Sequence, residues 1–269
     1  MAIEGEKRPL PVGTPLAKGW WLTLHTTHQT EDIMRKERGF TLVEIAIVLV
    51  IIGLLLGGIL RGQELIQNAR VRNIIDQQNG IKAAFFGFQD RFRMIPGDLT
   101  AAQVTQVGSG VIVSTAPATG AIEAADSSVA FQNITVTGFI SCQACTGAVA
   151  GASTEANSPV NVYGGVLQLV TDNVYGVPGT VAGGAAGQAL RHNVKTGNLI
   201  PSNVLYEADV KIDDGVPLNG QFRYSVWKTA LATAPPATCM LASASTISTP
   251  WETTANSVVP NCGAATLIN

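Results

Sequence analysis

Residues 40–60 read Phe40-Thr41-Leu42-Val43-Glu44-Ile45-Ala46-Ile47-Val48-Leu49-Val50-Ile51-Ile52-Gly53-Leu54-Leu55-Leu56-Gly57-Gly58-Ile59-Leu60, a 21-residue run whose only strongly polar members are Thr41 and Glu44. At about 1.5 Å per residue this run makes a helix about 31 Å long, enough for a bilayer core of about 30 Å. A secretory signal peptide has a shorter apolar region followed by small residues at its cleavage site, whereas Arg61-Gly62-Gln63-Glu64 follows here. A helix buried in a soluble core would carry a polar face over this length, and none appears between Ile45 and Leu60. The run therefore reads as a membrane-spanning helix. Charge does not orient it, because Arg35, Lys36 and Arg38 precede it while Arg61, Arg70 and Arg72 follow.

Glu44 is the odd residue of this span. A carboxylate in a lipid-facing helix is costly and usually has a partner, unless it lies shallowly enough for its head to reach the interface. Arg35-Lys36-Glu37-Arg38-Gly39, followed by Phe40-Thr41-Leu42-Val43-Glu44 and the apolar run, resembles the class III signal of type IV pilins and of the pseudopilins of type II secretion. That resemblance implies cleavage after Gly39 by a prepilin peptidase and N-methylation of Phe40. It also implies that Glu44 pairs with the N-terminal amine of a neighbouring subunit, supplying the counter-charge that burial demands. The implied fold is α+β: a long N-terminal helix, membrane-spanning in its first half, packed on a C-terminal antiparallel sheet. The implied partners are the prepilin peptidase, further copies of the chain or related pilins, and the inner membrane with its assembly machinery. The implied locations are the bacterial inner membrane, single-pass with the C-terminal domain extracytoplasmic, and then an extracellular or periplasmic filament. A minor pseudopilin shares the signal, and a membrane-anchored binding or adhesive protein that never polymerises is the alternative from another class.

The expected organisation follows. Residues 1–39 are a leader, and Met34 opens a six-residue basic leader of its own, Met34-Arg35-Lys36-Glu37-Arg38-Gly39, so residues 1–33 read as lying ahead of the true start; a long leader is the competing view. Residues 40–60 are the membrane and filament-core helix, and residues 61–95 its amphipathic continuation, with Ile81, Phe85, Phe88, Phe92 and Ile95 on one face. Pro96-Gly97 stops it, so one helix of roughly 80 Å is expected from about Phe40 to about Met94. Gly53, Gly57, Gly58 and Gly62 allow close helix contact and lower helical stability by about 1 kcal/mol each relative to alanine. Residues 96–269 are expected to form a β-rich domain containing a Gly/Ala/Thr/Ser-rich insertion of weak local structure at about 108–159. Asp98 is expected to cap a short helix near residues 99–104. Strands are expected at 111–113, 131–140, 160–170, 204–212 and 221–228, the last two forming an antiparallel hairpin across Asp213-Asp214-Gly215-Val216-Pro217-Leu218-Asn219-Gly220.

The remaining chemistry is sparse. Four cysteines allow three connectivities; sequence proximity favours Cys239 with Cys262, and Cys142 with Cys145 as a small structural loop. A zinc site is disfavoured because the second pair lacks the short spacing of a zinc knuckle. Asp209, Asp213 and Asp214 form an oxygen-rich group, and the resemblance raises calcium there, since major pseudopilins carry a calcium site near their C-terminal loops; the spacing lacks a full ligand series, so a solvated turn is the favoured reading. No other cofactor is expected. His192 is the only histidine after Gly39 and reads as a surface residue, and no catalytic signature is present, so an enzyme is not expected. With 13% charged residues and a net charge of −2, the chain carries no electrostatic footprint for nucleic acid as its main partner.

Overall fold

A computed structural model of the protein describes residues 39–147, 149–176, 189–225, 239–240, 250–254 and 258–268. Residues 1–38 of the leader, and residues 226–228 of the last expected strand, lie outside them. The chain divides after Ile52 into two units. In the first, Gly39, Phe40 and Thr41 precede the start of a helix, α1, that runs Leu42–Phe92 and continues into the second. Every residue from Gly39 to Leu60 is exposed.

Within the second unit, α1 buries one stripe, Val71, Ile74, Gln78, Ile81, Ala84, Phe85 and Phe88, at the three- and four-residue spacings of one helix face. The helix ends at Phe92, two residues before the expected Met94. Arg93 there takes φ +59°, a left-handed conformation, and Pro96 follows. Helix α2, Ala101–Val107, is capped by Thr100, whose hydroxyl accepts from the Gln103 amide while the Gln103 side chain accepts from the Thr100 amide. Asp98 is therefore not the cap. Its carboxylate instead accepts from the amides of Thr119 at 2.9 Å and Gly120 at 2.8 Å, tying down the loop at 114–120.

Two expected strands are helices. Residues 131–140 fall largely in α3, Ser127–Val136, which is buried at every position from Ser127 to Ile134. Residues 204–212 fall in α4, Ser202–Ile212. Short β-branched runs do not distinguish a buried helix from a strand by periodicity, and packing overrides local propensity. In α4 the buried positions Val204, Leu205 and Ala208 follow helical spacing, and Pro201 at the N-cap suits a helix entry. The segment at 108–159 is accordingly well built into the core through Ile122, Val129, Ala130, Phe131 and Ile134, and 111–113 forms no strand.

The sheet has four strands, β1 Gln168–Asp172, β2 Arg191–Lys195, β3 Phe222–Tyr224 and β4 Ala264–Ile268, in the order β1-β2-β4-β3 with every pairing antiparallel. The expected hairpin between 204–212 and 221–228 is thus overturned, because β3 pairs with β4 and the Asp213–Gly220 connector joins a helix to a strand. The expected strand at 160–170 survives only as β1, with Val160 and Val166 bridged across a tight turn. The chain is α+β, a long N-terminal helix packed with an antiparallel sheet in a pilin-like arrangement.

One sheet face meets α1. Leu169, Val194 and Ile268 join Phe85 and Phe88 in one cluster, while Phe222, Tyr224, Ala264 and Trp251 join Val71 and Ile74 in another. His192, expected on the surface, is half-buried there, its Nδ1 2.6 Å from Thr171 Oγ1 and its ring 5.2 Å from that of Phe85, and burial holds its pKa below the usual value. On the other face Lys195, 1% exposed, forms an ion pair with Asp172, which also accepts from Asn193 Nδ2 at 2.9 Å. Burial lowers the Lys195 pKa, and Asp172 opposes that shift. Cys142 is bonded to Cys145 and Cys239 to Cys262.

Candidate functional site

The first unit is organised around Thr41. Residues 39–41 are not helical, and Thr41 stands immediately before the first helical residue, Leu42. Its hydroxyl accepts from the Glu44 amide at 3.3 Å, and Glu44 Oε2 accepts from the Thr41 amide at 2.8 Å and from the Thr41 hydroxyl at 2.9 Å. This is a reciprocal capping box, in which two of the orphan N–H groups at a helix start are satisfied by side chains. A carboxylate at this place also complements the positive end of the helix dipole. Glu44 therefore has a partner within its own chain, where the sequence argument looked only to a neighbour. The Thr41-x-x-Glu44 spacing signals such a box, and reading Glu44 solely as a charge in need of neutralisation passed over it.

The cap fixes what lies on either side. Gly39 and Phe40 stay outside the helix, and Phe40 is 82% exposed, so the Gly39–Phe40 peptide bond is accessible in a non-helical stretch. Downstream, α1 contains an 18-residue window with a mean hydropathy of 2.8, none of it buried. It is long and apolar enough to cross a membrane.

Residues 34–60, spanning the basic segment, Gly39, the capping box and the apolar run, match the family model for the prokaryotic N-terminal methylation motif. The chain carries the class III signal of type IV pilins and pseudopilins. The motif, with the apolar helix behind it, fits a membrane-anchored precursor that is processed by a prepilin peptidase and assembles with other pilins. The match covers the motif alone and does not reach the sheet domain. No curated protein and no solved structure matches the chain.

A second constellation lies at the C-terminal end of α4. Oxygens of Asp209, Asp213 and Asp214 come within 4.8 Å of one another. Asp209 is buried, and its Oδ2 accepts from the indole Nε1 of Trp251 at 2.7 Å. Asp213 Oδ2 accepts from the amides of Gln221 and Phe222, and Asp214 accepts from the Val216 amide at 2.9 Å and from Asn219 Nδ2 at 3.0 Å. Burial pushes the Asp209 pKa up to about 7; the Trp251 indole and the Gly215 amide pull it down, and the Asp213 and Asp214 charges add to the rise. Gly215 and Gly220 are required in this turn: both have positive φ, and a Cβ at Gly220 would lie 1.6 Å from Asp213 Oδ2. An all-oxygen donor set of this kind would suit a hard cation such as calcium, which takes carboxylate and carbonyl oxygens. Asp209, Asp213 and Asp214 are the residues that would hold it.

Proposed function

We propose that this chain is the precursor of a structural subunit of a type IV pilus-like filament, cut after Gly39, N-methylated on Phe40 and polymerised through α1. The observation that carries this reading is the methylation motif at residues 34–60, whose apolar run from Phe40 to Leu60 is exposed at every position. An apolar surface of that extent needs a partner, either lipid or other protein. Cleavage ahead of the run retains it, so the same helix serves first as an anchor and then as the packed centre of a fibre.

Glu44 has two successive partners in this reading. In the stored subunit it is held by its own cap at Thr41, and on assembly it meets the new amine at Phe40 of a neighbouring subunit. Extracytoplasmic placement of the sheet domain is supported by the disulfides, which persist in oxidising compartments. The test is mass spectrometry of filaments sheared from the cell surface. A methylated N-terminal Phe40 in the sheared fraction is the expected result, whereas an uncleaved chain confined to the membrane fraction refutes the reading. Recovery of the processed subunit only in the periplasm moves the proposal to a secretion pseudopilus.

A further inference from the structure

The sheet face turned away from α1 carries a buried amine that filament assembly does not use. Lys195 is 1% exposed, and among the described residues its ammonium has one hydrogen-bond partner, Asp172 Oδ2. An ammonium has three N–H donors. Two acceptors on the same face nevertheless go unused. Gln168, directly opposite Lys195 in the β1–β2 register, and Asn193, two positions before it, each bury a side-chain oxygen that makes no hydrogen bond. A single carboxylate compensates poorly for taking a lysine this far from water. Burial favours the neutral amine, the nucleophilic form, although Asp172 opposes that shift.

The carboxylate of Asp172 is held as an acyl acceptor. Its Oδ2 meets Lys195 Nζ, while its Oδ1 accepts from Asn193 Nδ2 at 2.9 Å and from the Val174 amide at 3.2 Å. Two donors on one oxygen, one from a side chain and one from the backbone, form an oxyanion hole for charge that develops there. An amine hydrogen-bonded to a carboxylate oxygen also stands close to its carbon, at the roughly 3–3.5 Å separation of a near-attack arrangement. Burial of the pair excludes bulk water, which would reverse a condensation.

We propose that Lys195 and Asp172 condense into an intramolecular isopeptide bond joining β1 to β2, with Asn193 Nδ2 and the Val174 amide as oxyanion donors. One proton passes from the ammonium to Oδ2, leaving a neutral amine against a neutral carboxyl group. Nζ attacks Cγ, and the carbonyl electron pair moves onto Oδ1 between its two donors. On collapse the Cγ–Oδ2 bond breaks, and Oδ2 leaves as water with the proton it holds and a second one from Nζ. The Nζ–Cγ bond is formed, one water is released, and no oxidant or co-reactant is consumed. Both buried charges disappear in the product, which needs one N–H partner where the ammonium needed three. The chain between Asp172 and Lys195 is then closed by a covalent bond and is not drawn out when the two strands are pulled apart.

The experiment is mass spectrometry of the full chain, purified in detergent and then denatured with both disulfides reduced. The wild-type chain is expected one water below its sequence mass. Lys195→Arg, which keeps the charge and cannot form this bond, is expected at its full mass. Trypsin cuts after Arg93, Arg191, Lys195 and Lys211, so the linked chain should yield a branched species with two N-termini, Met94 and His192, uncut at Lys195. A wild-type chain at its full mass overturns the proposal. A water-light chain that releases residues 192–195 with a free lysine amine places the dehydration elsewhere and overturns it as well. Asn193→Ala, with both disulfides and a wild-type near-ultraviolet circular dichroism spectrum, is expected to slow the appearance of the water-light mass by about 100- to 1,000-fold. Linkage of that variant at the wild-type rate overturns the role of Asn193 as oxyanion donor.

Discussion

Replacing Phe85 with alanine tests whether the second part of α1 is a structural member of the folded domain. Phe85 is 1% exposed, packs with Leu169, Val194 and Ile268 of the sheet, and has its ring 5.2 Å from that of His192. Truncating a buried phenylalanine removes the transfer energy of the ring and leaves a cavity, together costing about 3–5 kcal/mol. At about 2–4 °C per kcal/mol for a domain of this size, Tm should fall by about 6–20 °C. The next residue is the internal control. Phe86 meets the Phe85 ring edge-on at 5.8 Å but is 37% exposed on the neighbouring face, so Phe86→Ala should cost under about 1 kcal/mol. Thermal unfolding of both variants, followed by near-ultraviolet circular dichroism in the same detergent, gives the comparison. Equal shifts, or a larger shift for Phe86→Ala, would refute the rotational setting of α1 and with it the packing derived from that setting.

Glu44→Gln should still be cleaved after Gly39 but assemble poorly, read as normal processing on a gel with little subunit in the sheared fraction; unimpaired assembly would favour a mere anchor. Reducing Cys239–Cys262, or replacing both cysteines with alanine, should cost about 2–4 kcal/mol in a chelated sample, since the bond closes a chain loop in the unfolded state; calorimetry with and without reductant measures it. The pH dependence follows from Asp209, whose folded pKa of about 7 lies above its ordinary value. The folded chain therefore holds the extra proton in the interval between the two values, so this contribution is fully present below the ordinary carboxylate pKa and is lost as pH rises through about 7. In chelator, the Tm of the wild-type chain should decline across that window, and Asp209→Asn should flatten the decline. A Tm that rises with pH in the wild-type chain and is unchanged in the variant contradicts the assignment.

The motif, the long helix and the buried face of Ile81, Phe85 and Phe88 were legible in the sequence because each is a local pattern repeated over several turns. The helices α3 and α4 were misread because Phe131–Ile140 and Val204–Ile212 are short and rich in β-branched residues, and only their burial on several sides decides between helix and strand. Strand β2 left no signal, since Arg191, His192, Asn193 and Lys195 are polar; Lys195 and Asn193 are buried around Asp172, a residue 20 or more positions earlier. Strand β4 begins Ala264-Ala265-Thr266 and carries little apolar contrast. The three aspartates could be picked out from sequence, but Trp251, 42 residues from Asp209, could not.

Strand β4 has a kinetic consequence. It lies between β2 and β3, and among the described strands it is the only one to which β3 is paired. The β1–β2 pair can form from nearby sequence, but β3 has no docking edge until residues 264–268 arrive. Closing such a distant pairing carries loop entropy before any contact rewards it, which makes it a late event. A chain emerging N-terminus first would thus wait half-assembled on its helix, with the edges of β2 and β3 open to pairing with other chains, until β4 slots in and Cys262, immediately upstream of that strand, reaches Cys239.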